Sequence, residues 1–356
     1  MTLPRLGAAM IVKNEAATIR PCLESLRPHI GYWVCGDTGS DDDTEAVVRE
    51  VFAGIPGEML HIEWDGFGPA RSQTFAAIHG KCEWWAATDA DMVWSGLDDF
   101  VPPAGLDGLT VQMGAGGSFR WRLPLVLNGS VEFVSIGRAH EFTARADGQT
   151  MRTEPTDAVR VTYPDRSSPA KSQWQLDLLQ RDLADDPENP RTLFYMSQCL
   201  RELGRDVEAR HLYLKRAAMT TGWSEEADYA AFRAALLAPE AERVGALLAA
   251  WERRPERLEP LSCAIGELNR ADCHRTAYTL IPDAWPAEAP EGLFVADDPW
   301  RYGLMFEKSI AAWYVGRRDE SRALSAALLA RDDLPPAVRA AAERNLALTD
   351  SEEEAA

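Results

Sequence analysis

Over the first hundred residues, short apolar runs alternate with amphipathic stretches. Gly7 to Val12 carries no polar residue and reads as a buried strand of a parallel sheet. Lys13-Asn14-Glu15 end it. Thr18 is placed to cap a helix in which Ile19, Cys22, Leu23 and Leu26 keep helical spacing, with Pro21 tolerated in the first turn. Tyr32 to Gly36 reads as a second strand. A helix from Asp43 or Thr44 turns Ala46, Val47, Val51 and Phe52 inward and closes at Gly54. Met59 to Trp64 reads as a third strand, Pro69 to Ile78 as a helix closed by Gly80, and the stretch around Trp84 as a fourth strand. This βαβαβαβ order calls for a parallel sheet with right-handed crossovers.

The pattern changes after residue 101. Leu109 to Met113, Ser118 to Leu127 and Val131 to Ile136 read as strands, with Asn128-Gly129 as a hairpin-type turn. From about Ala170 the spacing is helical with short polar breaks. Helices are expected at Arg191–Leu203 and Val207–Met219, and further segments around 225–237, 240–253, 257–268 and 270–281. Leu200, Gly204, Ala209 and Tyr213 fit a helix–turn–helix repeat with small residues where paired helices approach. Gly316 and Ser321 repeat the places of Gly204 and Ala209. Tyr195, Tyr213, Trp223, Trp251, Trp300 and Trp313 read as packing residues between such helices. The tail, Asp350 to Glu354, reads as a frayed acidic helix.

Composition narrows the partners. The net charge of −19 is shared: residues 1–165 carry −10 and the remainder −9. No basic half exists to grip a phosphodiester backbone, so nucleic acid is disfavoured. No apolar segment reaches the roughly 18 residues a spanning helix needs, and the N-terminus resembles neither a signal peptide nor an anchor. Cys22, Cys35, Cys82, Cys199, Cys263 and Cys273 form no C-x-x-C pair and read as reduced core thiols of a cytoplasmic protein.

The chemistry sits at the strand ends. In a parallel sheet these lie on one edge, so Lys13, Asn14, Glu15, Asp37, Ser40, Asp89 and Asp91 should converge in the crevice where such sheets bind ligands. Gly39 lets the backbone approach a ligand closely. Two carboxylates one residue apart suit a hard divalent cation held with phosphate oxygens, Mg²⁺ or Mn²⁺, although Asp-x-Asp alone is more often a polar turn, and it is the neighbouring residues that favour the cation. Arg71, in the first turn of its helix, can face an anionic ligand or form a surface ion pair. His140-Glu141 follows Gly137 at a strand end. The imidazole can ligate metal and the carboxylate can act as a base, or the two can be a plain surface pair. G-x-G-x-x-G does not follow the first strand and no P-loop occurs, which argues against a dinucleotide fold and a P-loop NTPase.

Four motifs in series, Ile11-Val12-Lys13-Asn14-Glu15, Asp37-Thr38-Gly39-Ser40-Asp41-Asp42-Asp43-Thr44, Phe67-Gly68-Pro69-Ala70-Arg71 and Asp89-Ala90-Asp91, resemble family 2 glycosyltransferases of the GT-A fold. The helical half resembles the tetratricopeptide-like region of one branch of that family, through Asn189-Pro190-Arg191, Phe194-Tyr195, Gly222-Trp223-Ser224-Glu225-Glu226 and Glu307-Lys308-Ser309-Ile310. The resemblance implies an α/β GT-A domain over 1–165, with a Rossmann-like, mostly parallel mixed sheet, and a helical-repeat domain over 166–356. It implies a metal-dependent inverting transfer from a nucleotide-diphosphate sugar, a UDP-sugar by family habit, to a protein, a glycan or a small molecule. Val12, Lys13, Asn14, Glu15, Asp37 and Ser40 would line the base and ribose. Arg71 would face the base or diphosphate, and Asp89 the ribose or sugar hydroxyls, with Ala90 beside it in the donor site. Asp91 would hold Mn²⁺ or Mg²⁺, with His140 beside it, and Glu141 would be the general base. The stretch Val161 to Asp165 lacks the late histidine of many relatives, which leaves His140 or water to complete the metal shell. Two other readings fit the same residues: a catalytically silent nucleotide-sugar-binding scaffold for a helical adaptor, and a sugar nucleotidyltransferase.

Overall fold

The computed structural model describes residues 3–98, 100–101, 103–114, 120–164, 168–290 and 292–353. The expected strand start at Ser118, Asp165 and the tail residue Glu354 lie outside them.

Strand β1 (Leu6–Val12) is buried along its whole length, as an unbroken apolar run demands. It is flanked in parallel by β2 (Tyr32–Asp37) and, on its other side, by a strand at Trp84–Thr88. Next in the chain after β2 is β3 (Gly57–His61), which pairs in parallel with the outer side of β2, and Trp84–Thr88 is β4. Helices α1 (Arg20–Leu26), α2 (Thr44–Val51) and α3 (Phe67–Ile78) make the crossovers. Thr18 does not cap α1. Ile19 holds the N-cap position, and the Thr18 hydroxyl instead hydrogen-bonds Glu15. The third strand ends at His61, and Trp64 packs edge-on against Phe67, 5.1 Å between centroids.

The sheet is larger than expected. Short β5 (Val93–Ser95), β6 (Gly108–Gly114), β7 (Arg120–Asn128) and β10 (Thr153–Thr162) complete eight strands in the order β3-β2-β1-β4-β7-β6-β10-β5. β7 is antiparallel to β4 and β6, while β10 returns parallel to β6. A separate hairpin pairs β8 (Phe133–Ile136) with β9 (Phe142–Arg145). Sequence reading missed β5, β9 and β10. β5 and β9 are three and four residues long, and β10 contains Pro155 and a register shift between Thr156 and Arg160, so none carries a clean alternating pattern.

The chain forms two compact units, divided between Leu203 and Gly204. The change to helical structure falls between β10 and Pro169, close to 165/166, yet α4 (Pro169–Asp185) and α5 (Pro190–Glu202) belong to the sheet's unit. Trp174 of α4 stacks on Trp64 at 5.8 Å. Arg138 donates through its backbone N–H to Asp182 (2.8 Å) and through Nη1 to Asp182 (2.9 Å) and Asp185 (2.6 Å), and Arg181 pairs with Asp65. Both helices are N-capped: Ser168 accepts from Lys171 N–H at 3.2 Å and Asn189 from Thr192 N–H at 3.0 Å.

In the second unit, α6 (Asp206–Ala218), α7 (Ser224–Leu236), α8 (Glu240–Arg253), α9 (Glu259–Arg270), α10 (His274–Leu280), α11 (Leu304–Tyr314), α12 (Arg318–Leu329) and α13 (Pro336–Glu353) each pack on the next. This is the stacking of a tetratricopeptide-like solenoid. Gly316 turns the chain at φ +85° between α11 and α12, and buried Ser321 donates to the Ser309 carbonyl across that pair at 2.7 Å. Tyr213 and Trp300 are buried fillers, but Trp223 is 48% exposed. Four of the six free cysteines are buried, and burial pushes the Cys22 thiol up to about 12. Cys273 is exposed and departs from the core reading. Among the described residues no helix is long and apolar enough to cross a membrane.

Candidate active site

The loops after β1 and β2 are sewn together by side chains that face backbone. Asn14 turns at φ +55°, a conformation asparagine tolerates, and its Oδ1 accepts from Asp41 N–H at 2.9 Å. Its own N–H donates to Ser40 Oγ at 3.0 Å, and Glu15 N–H donates to Thr44 Oγ1 at 2.8 Å. Asp37 Oδ1 accepts from the N–H groups of Gly39 (3.2 Å) and Ser40 (2.9 Å) and from Ser40 Oγ (2.7 Å). The Val12 carbonyl accepts from Thr38 N–H, 3.0 Å. Val12, Asn14, Glu15, Asp37 and Ser40 therefore meet at one edge, as the alternation predicts, and Lys13 stands exposed beside them.

A second cluster forms around Arg71. The residue lies in the second turn of α3, not the first, because the helix starts at Phe67. Its Nη2 bonds Asp89, and its Nε donates to Glu141 Oε1 at 2.7 Å. The guanidinium is 12% exposed and Glu141 17%. Burial works against the charge, but the two carboxylates outweigh it and hold the guanidinium above its ordinary pKa. The fold positions this arginine by backbone. Phe67 and Gly68 N–H donate to the Arg138 and Gly137 carbonyls at 2.9 and 3.0 Å, pinning α3 to the end of the β8–β9 hairpin. A Cβ on Gly68 would lie 2.3 Å from the Gly137 oxygen, so the approach admits only glycine.

His140 is held from α4 and α5. Its ring stacks on Tyr195 at 4.0 Å and 8°, its carbonyl accepts from Arg191 Nε at 2.9 Å, and Gln175 hydrogen-bonds its side chain. Burial, with the nearby charges of Arg191 and Lys171, lowers its pKa to about 4, so the imidazole is neutral at pH 7. Tyr195, read from sequence as a packing residue, and Arg191, read as a repeat mark, are thus contacts of a candidate site residue. Helical spacing alone carries no signal of that, since the partner lies on a distant loop.

Asp89, Asp91 and His140 line one cavity of about 350 Å³, open to solvent and lined further by residues of β6, β7, α4 and α5. Ala90 is buried between the two aspartates. Asp91 and His140 do not belong to a group of three metal-type ligands. Among the described residues such a group forms only from Asp37, Glu45 and His61, whose ligand atoms lie within 4.8 Å of one another. A cation at Asp91 would need other oxygens, such as those of a diphosphate and water, which is the way Mg²⁺ is usually held. The Asp91 carboxylate is a donor that fits Mn²⁺ or Mg²⁺ in that role, whereas an imidazole such as that of His140 suits softer first-row ions better.

Residues 8–104 match the model of glycosyl transferase family 2. This segment is a family 2 glycosyltransferase domain. All four motifs fall within it, whereas Glu141 and the helices α4 and α5 lie beyond it. The chain is 36% identical over 90 residues to a TPR repeat-containing protein of Synechococcus elongatus, covering 25% of this chain and 21% of that one. It is 24% identical over 237 residues to the SPbeta prophage-derived glycosyltransferase SunS of Bacillus subtilis, covering 60% and 53%. The chain thus spans between a fifth and about half the length of these relatives. A solved structure of S. aureus TarS aligns with 69% of this chain and 54% of its own, at 12% identity and a TM-score of 0.38.

Proposed function

We propose that the protein is a metal-dependent, inverting glycosyltransferase that moves a hexosyl group from a nucleotide-diphosphate sugar, with a UDP-sugar as the first donor to test. The observation that carries this reading is the convergence of Arg71, Asp89 and Glu141, 18 to 70 residues apart in the sequence, with Asp89 also lining the cavity that Asp91 and His140 line. The sewn loops of β1 and β2 would take the base and ribose through Asn14, Glu15, Asp37 and Ser40, with Val12 and Lys13 at their edge. Arg71 would meet the diphosphate, and Asp89-Ala90 the sugar. Asp91, with His140, would hold Mn²⁺ or Mg²⁺, which when bound offsets negative charge on the leaving diphosphate.

Inversion needs one displacement. The acceptor oxygen forms its bond to the anomeric carbon as the bond to the diphosphate oxygen breaks, and Glu141 takes the acceptor proton. Arg71 fixes the Glu141 carboxylate before substrate arrives, and the cavity holds the reacting groups in line. The free thiols fit a cytoplasmic enzyme. The test is an unequal pair of variants. Glu141→Gln should bind UDP with Mn²⁺ as the wild type does and lose turnover by 10²-fold or more, on the order of what a general base contributes. Full activity in that variant would remove Glu141 from the mechanism.

A further inference from the structure

We infer that the cavity walled by α4 and α5 is the acceptor site, and that it takes an uncharged, polyhydroxylated ring, one sugar unit of the acceptor. This inference rests on the transferase reading above.

The sheet order separates two ligands. The loops of Asn14 and Asp37 follow β1 and β2, on one side of β4, whereas Met113 of β6 and Leu123 of β7, with Tyr163 and Pro164 after β10, come from the other side. The Asp89–Asp91 turn at the end of β4 is the divide. A nucleotide over β1 and β2 and a ligand in the cavity would therefore meet at those aspartates. The volume of about 350 Å³ is at the small end for a ligand pocket and suits one ring, not a folded partner or a long side-chain array.

The lining sets the chemistry. Met92, Met113, Leu123 and Pro164 give an apolar floor for the C–H face of a ring. Gln198 of α5 also lines the cavity, and its side-chain amide can exchange hydrogen bonds with ring hydroxyls. Glu202 is held in place by a 2.6 Å hydrogen bond from Ser172 Oγ and can accept from a hydroxyl. Of the carboxylates in the wall, Asp89 pairs with Arg71 and Asp91 is assigned to the metal, which leaves Glu202 against one ammonium, Lys171, and no surplus positive charge to hold a phosphorylated or otherwise anionic acceptor. These recognition groups lie on the first two helices after the sheet, beyond the segment that matches the family.

The test uses the full chain saturated with UDP and Mn²⁺. Calorimetric titrations would use methyl glycosides of the common hexoses, the matching hexose 1-phosphates and a Ser/Thr-rich hexapeptide. At least one methyl glycoside should bind, its Kd should rise tenfold or more in Gln198→Leu and in Glu202→Gln, and the hexose phosphate should bind more weakly. Gln198→Leu removes an amide whose Nε2 has no hydrogen-bond partner among the described residues, so its melting temperature should not fall, which separates lost recognition from lost fold. UDP binding with no glycoside bound, preferential binding of the peptide or the phosphate, or affinities unchanged in both variants would each overturn the inference while leaving the transferase reading in place. Failure of UDP itself to bind would overturn that reading, and this inference with it.

Discussion

Replacing Arg71 by methionine tests the core of the site. The guanidinium is 12% exposed and separates Asp89 from Glu141, so Arg71→Met leaves two carboxylates facing each other. Groups bonded to one guanidinium lie about 5 Å apart, and at an effective dielectric of about 20 two unit charges there repel by about 3 kcal/mol. Asp89 is 37% exposed, and solvent screens part of this, so the variant should lose about 2 kcal/mol of stability at pH 7. The sign with pH follows from proton uptake. In the variant, folding favours a carboxylate that has gained a proton, so its stability relative to wild type rises as pH falls. At pH 4 the deficit should shrink below about 1 kcal/mol. Urea melts followed by circular dichroism at both pH values read this out, and Arg71→Met/Glu141→Gln should recover most of the loss at pH 7. The same deficit at both pH values, with no recovery in the double variant, would refute charge separation as the role of Arg71.

Two more predictions concern a buried carboxylate of the sheet and the support of His140. Asp107 is fully buried and accepts from Arg152 N–H (2.8 Å) and Nη2 (2.9 Å) and pairs with Arg145 (2.9 Å), with Arg152 the larger cause of a pKa lowered to about 2. Its contribution of about 2 kcal/mol should be complete above pH 4 and fade as pH falls towards 2, and Asp107→Asn should abolish that acid limb in urea melts. Tyr195→Leu keeps an apolar residue but removes the stack on His140. Through His140 it should weaken Mn²⁺-dependent UDP binding several-fold, and an unchanged UDP affinity would show that the stack does not support the metal site.

The parallel half of the sheet was legible because each of its strands is a short apolar run ended by polar residues, and because the motifs sit at those ends. Asn14, Asp37 and Ser40 could be placed together on that ground alone. Arg71, Asp89 and Glu141 could be named, but their common ion-pair network could not, since it depends on how α3 is pinned to the Gly137–Arg138 turn. β10 escaped notice because a proline and a register shift interrupt its alternation. The wall formed by α4 and α5 was invisible for a different reason. An apolar helix face looks the same whether it covers another helix or a sheet, so Tyr195 read as repeat packing although it contacts His140, and nothing in the pattern marked Trp174 as the partner of Trp64.

The most direct measurement is the melting temperature with UDP, GDP, dTDP and CDP, each with and without Mn²⁺ or Mg²⁺, on the wild type and on Asp91→Ala. At about 100 times its Kd a ligand adds about 2.7 kcal/mol, a shift of a few degrees for a chain of this size. One nucleotide, UDP by expectation, should stabilise the wild type only with metal, and Asp91→Ala should abolish the shift. Stabilisation by no diphosphate under any condition, or an undiminished metal-dependent shift in Asp91→Ala, would contradict the assignment of this edge as a metal-assisted nucleotide-sugar site.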